Sequence, residues 1–188
     1  MGELVSIASE RMEAALLDQA NYVGVDNLVP GFGGRVDSKY LPNTGAVIRY
    51  EPGDILIGNI RPYLKKVWLA DRNGGASPDV LTISLSQTAR SIISARYLYH
   101  VIASDAFISY SMQHAKGAKM PRGDKGAMLR YEIPTPPLGE QERIVAVLDK
   151  FDALVNDLSI GLPAELNGRR KQYEYYRDRL LTFEEALV

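Results

Sequence analysis

Two consecutive prolines, Pro136-Pro137, divide the chain into parts that cannot share one secondary structure. Proline inside a helix removes a backbone hydrogen bond and clashes with the preceding turn, so no helix runs through the pair. Upstream the apolar residues fall in short β-branched runs broken by glycine and proline; downstream they recur at helical spacing. The division predicts an α+β chain: a mixed α and β domain with a small twisted sheet over residues 1–137, then two long helices over residues 138–188.

Within the first part, Gly53 to Ile60 (GDILIGNI) reads as a buried strand that stops at Arg61-Pro62, because proline cannot continue a ladder. Lys66 to Ala70 reads as its partner, ended by an Arg72-Asn73-Gly74-Gly75 turn, and Leu81, Ile83 and Leu85 alternate with Thr82 and Ser84 as a third strand. Leu98, Val101, Ile102 and Ile108 predict one helix from Ala95 to Met112 across that sheet, with His100 on its surface. A basic, glycine-rich loop follows (AKGAKMPRGDKG), and Leu129, Tyr131 and Ile133 alternate into a last strand ending at Pro134.

In the second part Ile144, Leu148, Phe151, Val155 and Leu158 are spaced as the seam of a short coiled coil. Gly161-Leu162-Pro163 interrupts it, and proline suits the first turn of a new helix. There Leu166, Arg169, Tyr173, Tyr176, Leu180 and Phe183 form a second seam. These helices could pack on their own domain or on another chain; a second chain is favoured, since so short a tail has little surface to bury against itself.

Composition narrows the function. The 188 residues suit one domain with an extension, and the absence of cysteine removes disulfides and thiolate metal sites. No apolar run is long enough for a membrane span, and MGELVSIASE lacks the basic and apolar regions of a signal peptide, so the cytoplasm is the expected location. The formal net charge is -1, yet charge is unevenly spread: from Ile60 to Arg130 there are eleven basic residues against four acidic ones. A basic middle between acidic ends is either a solvated surface or a phosphate-facing patch.

Catalytic motifs are missing. Thr135-Pro136-Pro137-Leu138 lacks the polar acceptor and stacking ring with which adenine methyltransferases hold a flipped base. Gly31-Phe32-Gly33-Gly34 has the wrong spacing for a dinucleotide fingerprint and reads as a flexible loop. Pro78-Asp79 is not completed into a two-carboxylate metal site, and His100 and His114 have no cysteine company to form a zinc site. No metal and no cofactor are expected.

From PPLGEQERIVAVLDKFDALVNDL through GLPAELNGRRKQYEYYRDRLLTF the chain closely resembles the helical region of type I restriction-modification specificity subunits. The match includes Glu140-Gln141, Arg143-Ile144, Gly161-Leu162-Pro163 and the run from Arg170 to Arg177. Upstream, Tyr22 to Asp26, GDILIGNIRPYL and Lys119-Met120-Pro121-Arg122 are similar to the target recognition domains of that family. A full member has two recognition domains and two helical regions, whereas this chain has one of each. The resemblance therefore implies a half subunit that pairs with itself, or a piece of a longer gene product.

It further implies a non-catalytic subunit that reads double-stranded DNA, with each recognition domain on one half of a split site and the helices setting the distance. Methyltransferase and restriction subunits would supply the chemistry. The expected DNA contacts are Arg61, Tyr63, Lys65 and Lys66 after the first strand, Lys116, Lys119, Arg122 and Lys125 in the basic loop, and Arg35 beside the glycine turn. Leu166, Arg169, Tyr173, Tyr176 and Leu180 are expected to form a homodimer, and Ile144, Leu148 and Phe151 to dock the methyltransferase. Rival readings are a small DNA methyltransferase or nuclease, and a structural decoy that caps other specificity subunits without binding DNA.

Overall fold

The strands predicted around Gly53 to Leu85 do assemble, into one of two stacked sheets. The computed structural model describes residues 1–42, 45–157 and 163–182, and for residues 153–157 and 163–167 the backbone alone. Leu158, the Gly161-Leu162 break, Phe183 and the side chains of Val155 and Leu166 thus lie outside the described residues. The first sheet holds β1 (Val5–Ile7), β5 (Ile55–Gly58), β6 (Val67–Leu69) and β8 (Val80–Leu85) in the order β1-β8-β5-β6, all antiparallel. The second holds β2 (Arg11–Glu13), β3 (Tyr22–Val23), β4 (Ala46–Tyr50) and β7 (Gly74–Ala76) in the order β2-β4-β7-β3.

Strand β5 is central because both of its faces are covered. Ile55 and Ile57 pair with Ile83 and Leu81 on one side and with Leu69 and Val67 on the other. Ile55, Ile57, Val67, Leu81 and Ile83 join the main core beneath the helices, while Leu56 and Trp68 join a second core with Tyr50, Val23 and Leu28. Alternation along a strand sends successive side chains to opposite faces, so a run apolar at every position is what a central strand between two layers needs.

Three expectations need correction. Gly74-Gly75 is not a turn but strand β7, where a Cβ on Gly74 would collide with the Asn21 carbonyl and the Tyr50 ring, and one on Gly75 with Val47 and Leu17. These glycines serve close backbone approach. The single helix over 95–112 is two: α1 (Ala95–Ile102), capped by Ser94, and α2 (Asp105–Gln113), capped by Ser104, which accepts from Phe107 N and donates to the Val101 carbonyl. A serine with Asp105 behind it starts a helix more readily than it continues one. The strand expected over Leu129, Tyr131 and Ile133 does not form: Leu129 lies in helix α3 (Lys125–Arg130), capped by Asp124, which accepts from Ala127 N at 2.8 Å, and residues 131–137 have no regular structure.

Helix α4 (Leu138–Asp157) starts directly after Pro137, and α5 (Pro163–Leu181) follows it. The main core runs across the proline pair: Ile144, Leu148, Tyr173 and Leu181 belong to the same cluster as Ile57, Tyr97 and Phe107. The polar anchor of this union is Gln141, fully buried. Its amide donates to the carbonyls of Ile92 and Pro136 at 2.8 and 2.7 Å, and its oxygen accepts from Ser94 N at 3.0 Å. One side chain thus ties the proline linker, the segment before α1 and the start of α4.

His100 is not on a helix surface; it is completely buried against α4, 2.9 Å from Asp149, which also accepts two bonds from Arg96. Burial pushes its pKa below 6.5, although the bond to Asp149 and the nearby Asp152 favour the charged form. Asp149 is held below the usual carboxylate value: burial works against this, but hydrogen bonds from Arg96 and His100 outweigh it.

Two outcomes follow for stability. Gln141→Ala would leave the partly buried Ser94 N–H and the carbonyls of Ile92 and Pro136 without this partner, and urea denaturation should show a loss of about 1–3 kcal/mol, whereas a loss below about 0.5 would contradict the anchor role. Because the folded state prefers neutral His100, the unfolded state takes up the extra proton, so this contribution is whole above pH 6.5 and is lost as pH falls through that value toward the folded pKa. Thermal midpoints between about pH 7.5 and 5.5 should therefore fall less steeply in His100→Gln than in the parent chain, and equal slopes would contradict the assignment.

Candidate nucleic-acid interface

The connection from β5 to β6 is a strained turn held on three sides. Arg61 and Lys65 bracket a single 3-10 turn, Pro62–Leu64, and both have a φ of 54°. A left-handed non-glycine residue costs on the order of 1 kcal/mol and persists only where its surroundings over-determine it. Here Arg61 N donates to the Pro121 carbonyl at 2.8 Å, and the carbonyls of Leu64 and Lys65 accept from Gly31 N and Phe32 N at 2.9 and 2.8 Å. The result pushes Arg61 and Tyr63 out into solvent.

The second basic loop is anchored to the first. Lys116 and Arg122 exchange backbone hydrogen bonds of 2.9 and 2.8 Å, Gly117 supplies the positive φ between them, and Arg122 also bridges to Ile60. Lys116 Nζ lies 2.7 Å from the Asp124 carboxylate, and this contact, with the Ala127 N–H, lowers the pKa of Asp124 to about 2. The Ile60–Arg122 bridge therefore joins two loops far apart in sequence into one surface carrying Arg61, Tyr63, Lys116, Lys119, Arg122 and Lys125. Arg61, Lys119 and Lys125 have no side-chain hydrogen bond or ion pair among the described residues. A cleft beside them is lined by Tyr22, Asp26, Ile60, Lys66, Asp79 and Met120.

Three expected DNA contacts lie elsewhere. The Arg35 side chain is 7% exposed, paired with Asp37 at 2.5 Å and laid over the Trp68 ring. Lys65 turns inward to Asp105 at 2.5 Å and Glu174 at 3.7 Å, so its charge closes the gap between the turn and the helices. Lys66 donates to the Val25 carbonyl at 2.7 Å. The glycine loop at 31–34 is likewise no free loop: Arg170 donates to the Gly31 carbonyl, and Phe32 lies under the Arg177 guanidinium.

The helical seams are placed differently from the expectation. Ile144 and Leu148 are buried in the chain's own core, which removes them as a docking surface, and Phe151 is half-buried against Tyr173 and Tyr176. Tyr173 is buried and Leu180 half-buried, so the seam closes largely within the chain; Arg169, Tyr175 and Tyr176 remain exposed. The helix pair covers enough of the sheet domain to satisfy its apolar stripe there.

Sequence reasoning passed over Arg177, fully buried between the rings of Phe32 and Tyr173 at 4.9 and 5.3 Å, with Asp178 and Asp105 at 3.6 and 3.8 Å. Its one signal was an arginine inside an otherwise aromatic stripe. Among the described residues, His100, Asp149 and Asp152 form the cluster with donors suited to a metal ion. Arg96 already supplies a cation to Asp149, and His100 Nε2 meets the same carboxylate, so these contacts account for Asp149 without a metal ion.

A two-sheet α+β domain that presents paired basic loops and is buttressed by a helix pair matches a known class. The sequence family described as type I restriction modification DNA specificity domain covers residues 22–168, and the chain belongs to that family. It is 42% identical over 91 residues to the EcoR124I/EcoR124II type I restriction enzyme specificity subunit of Escherichia coli, a stretch covering 48% of this chain and 22% of that protein. It is 37% identical over 92 residues, 49% of this chain and 23% of the other, to a putative type I restriction enzyme specificity subunit of Haemophilus influenzae. Its fold resembles the HsdS subunit from Thermoanaerobacter tengcongensis, with a TM-score of 0.61 at 24% identity over 84% of this chain and 41% of that one. The S subunit of a type I system from M. genitalium gives 0.57 at 18% identity over 84% and 39%. The chain thus spans about a quarter of these sequence relatives and under half of these solved structures.

Lys66 gives a direct check on this geometry. Lys66→Met keeps the apolar stem but leaves the Val25 carbonyl without its donor, and chemical denaturation should show a cost of about 1 kcal/mol. An unchanged stability would return Lys66 to the pool of free surface charges.

Proposed function

We propose that this chain is the DNA-reading, non-catalytic subunit of a type I restriction-modification system, acting in the cytoplasm and directing methyltransferase and restriction subunits to their site. The observation that carries the reading is the Ile60–Arg122 bridge, which fuses two basic loops into one face in a member of a DNA specificity family. No helix among the described residues is long and apolar enough to cross a membrane. Phosphates are met by Arg61, Lys116, Lys119 and Lys125, whose charges stand in solvent.

One recognition domain reads one half of a bipartite site, and a second copy supplies the other half in a homodimer. Tyr175 and Tyr176, 58% and 40% exposed on α5, support a contact between copies along that edge. The solvent side of α4, flanked by the exposed Leu138 and Val147 on opposite edges of the buried Ile144–Leu148 stripe, is the surface left for the methyltransferase.

Phosphate contacts release counterions, so their number is read from the salt dependence of binding. Replacing Arg61, Lys116 and Lys119 by alanine should weaken binding to duplexes of any sequence and flatten the slope of log affinity against log salt by roughly one for each phosphate no longer neutralised. An unchanged slope would refute the interface.

A further inference from the structure

The fold leaves one ion pair on this face that it does not need for stability. Asp79 lies in the connection from β7 to β8, and its backbone carbonyl accepts from Asn59 N at 2.9 Å. Arg122 sits across from it, its backbone held by Lys116 on one side and by Ile60 on the other, with Gly123 N donating to the Asn59 carbonyl at 3.1 Å. Both backbones are thus clamped to the same short stretch after β5. Between the clamped backbones, Arg122 Nη1 stands 3.0 Å from Asp79 Oδ1, with the two side chains 57% and 41% exposed. An ion pair that exposed contributes little to folding. Its effect is geometric: the arginine fork is biased toward Asp79, a residue that lines a cleft together with Arg61 and Met120.

Arginine differs from the lysines around it in carrying a planar fork of donors. Asp79 engages Nη1, while Nε and Nη2 have no other partner among the described residues. A guanine presents two acceptors, O6 and N7, side by side in the major groove, and a pre-aimed guanidinium can donate to both. Lys119 and Lys125 are unanchored ammonium groups, and Lys116, though paired, is a point charge at 82% exposure. Phosphate contact tolerates such freedom, whereas base reading does not.

We propose that Arg122 reads a guanine in the major groove and that Asp79 is the positioning residue that aims it. This rests on the DNA-reading function proposed above. Asp79 makes no contact with phosphate in this reading; as an anion it opposes DNA binding in general and is retained for selectivity.

The test is selection of duplexes from a randomised pool by the full chain, comparing the parent with Asp79→Asn, Asp79→Ala, Arg122→Lys and Lys119→Ala. The parent should select a site with guanine at one position, and both Asp79 variants should lose about tenfold of that preference while keeping the other positions. Arg122→Lys should lose it too, and Lys119→Ala should weaken all sequences alike. A purely structural role for Asp79 would weaken every position equally, and a bystander charge would strengthen every position equally; either result overturns the proposal while leaving DNA reading intact. A parent chain that selects no sequence overturns the DNA-reading function itself, and this inference with it.

Discussion

The architecture depends on one buried amide. Gln141 spends all of its strong hydrogen bonds on backbone groups from two other places in the chain, Pro136 and the Ile92–Ser94 segment. Those groups sit where regular structure stops, partly buried, and without Gln141 they would lose their hydrogen-bond partner. By meeting that need from the first turn of α4, Gln141 sets where the helix leaves the sheet domain. Ile144 and Leu148 then fall into the main core, His100 meets Asp149, and α5 is brought back over the glycine loop, where Arg177 closes on Phe32.

That arrangement explains which charges are free to act outside the protein. Three of the basic residues near the helix pair are taken up in holding it: Lys65 by Asp105 and Glu174, Arg96 by Asp149, Arg170 by the Gly31 carbonyl. Those on the far side of the same loops are not. The turn between Arg61 and Lys65 divides the two populations, its left-handed ends directing Lys65 inward and leaving Arg61 and Tyr63 outward. The excess of basic residues in the middle of the sequence thus serves two purposes, and only part of it faces solvent.

Much of this was legible in the sequence. Apolar periodicity marked β5, β6, β8 and α4, and the proline pair marked the start of α4, because these signals come from burial and backbone sterics that act locally. What was misread depends on groups distant in sequence. Gly74-Gly75 looked like a turn because the need for glycine there comes from Asn21, Tyr50 and Val47. His100 looked exposed because the carboxylate that satisfies it lies on α4. Lys65 looked like a phosphate contact because Asp105 approaches only after folding, and Arg35 because the Trp68 ring that covers it does so too, although its ion-pair partner Asp37 is two residues away. Of the seams of α4 and α5, Ile144, Leu148 and Tyr173 are buried and Phe151 and Leu180 half-buried, while Arg169 and Tyr176 are exposed; periodicity does not say which surface covers a stripe.

The central claim is that the loops joined by the Ile60–Arg122 bridge form the surface that meets DNA. Hydrogen–deuterium exchange of the full chain with and without duplex measures this most directly. The account predicts added protection at residues 60–64 and 115–125 on DNA binding, with residues 31–35 unchanged. Protection confined to residues 31–35 or to the helix pair, with the joined loops unaffected, would contradict it.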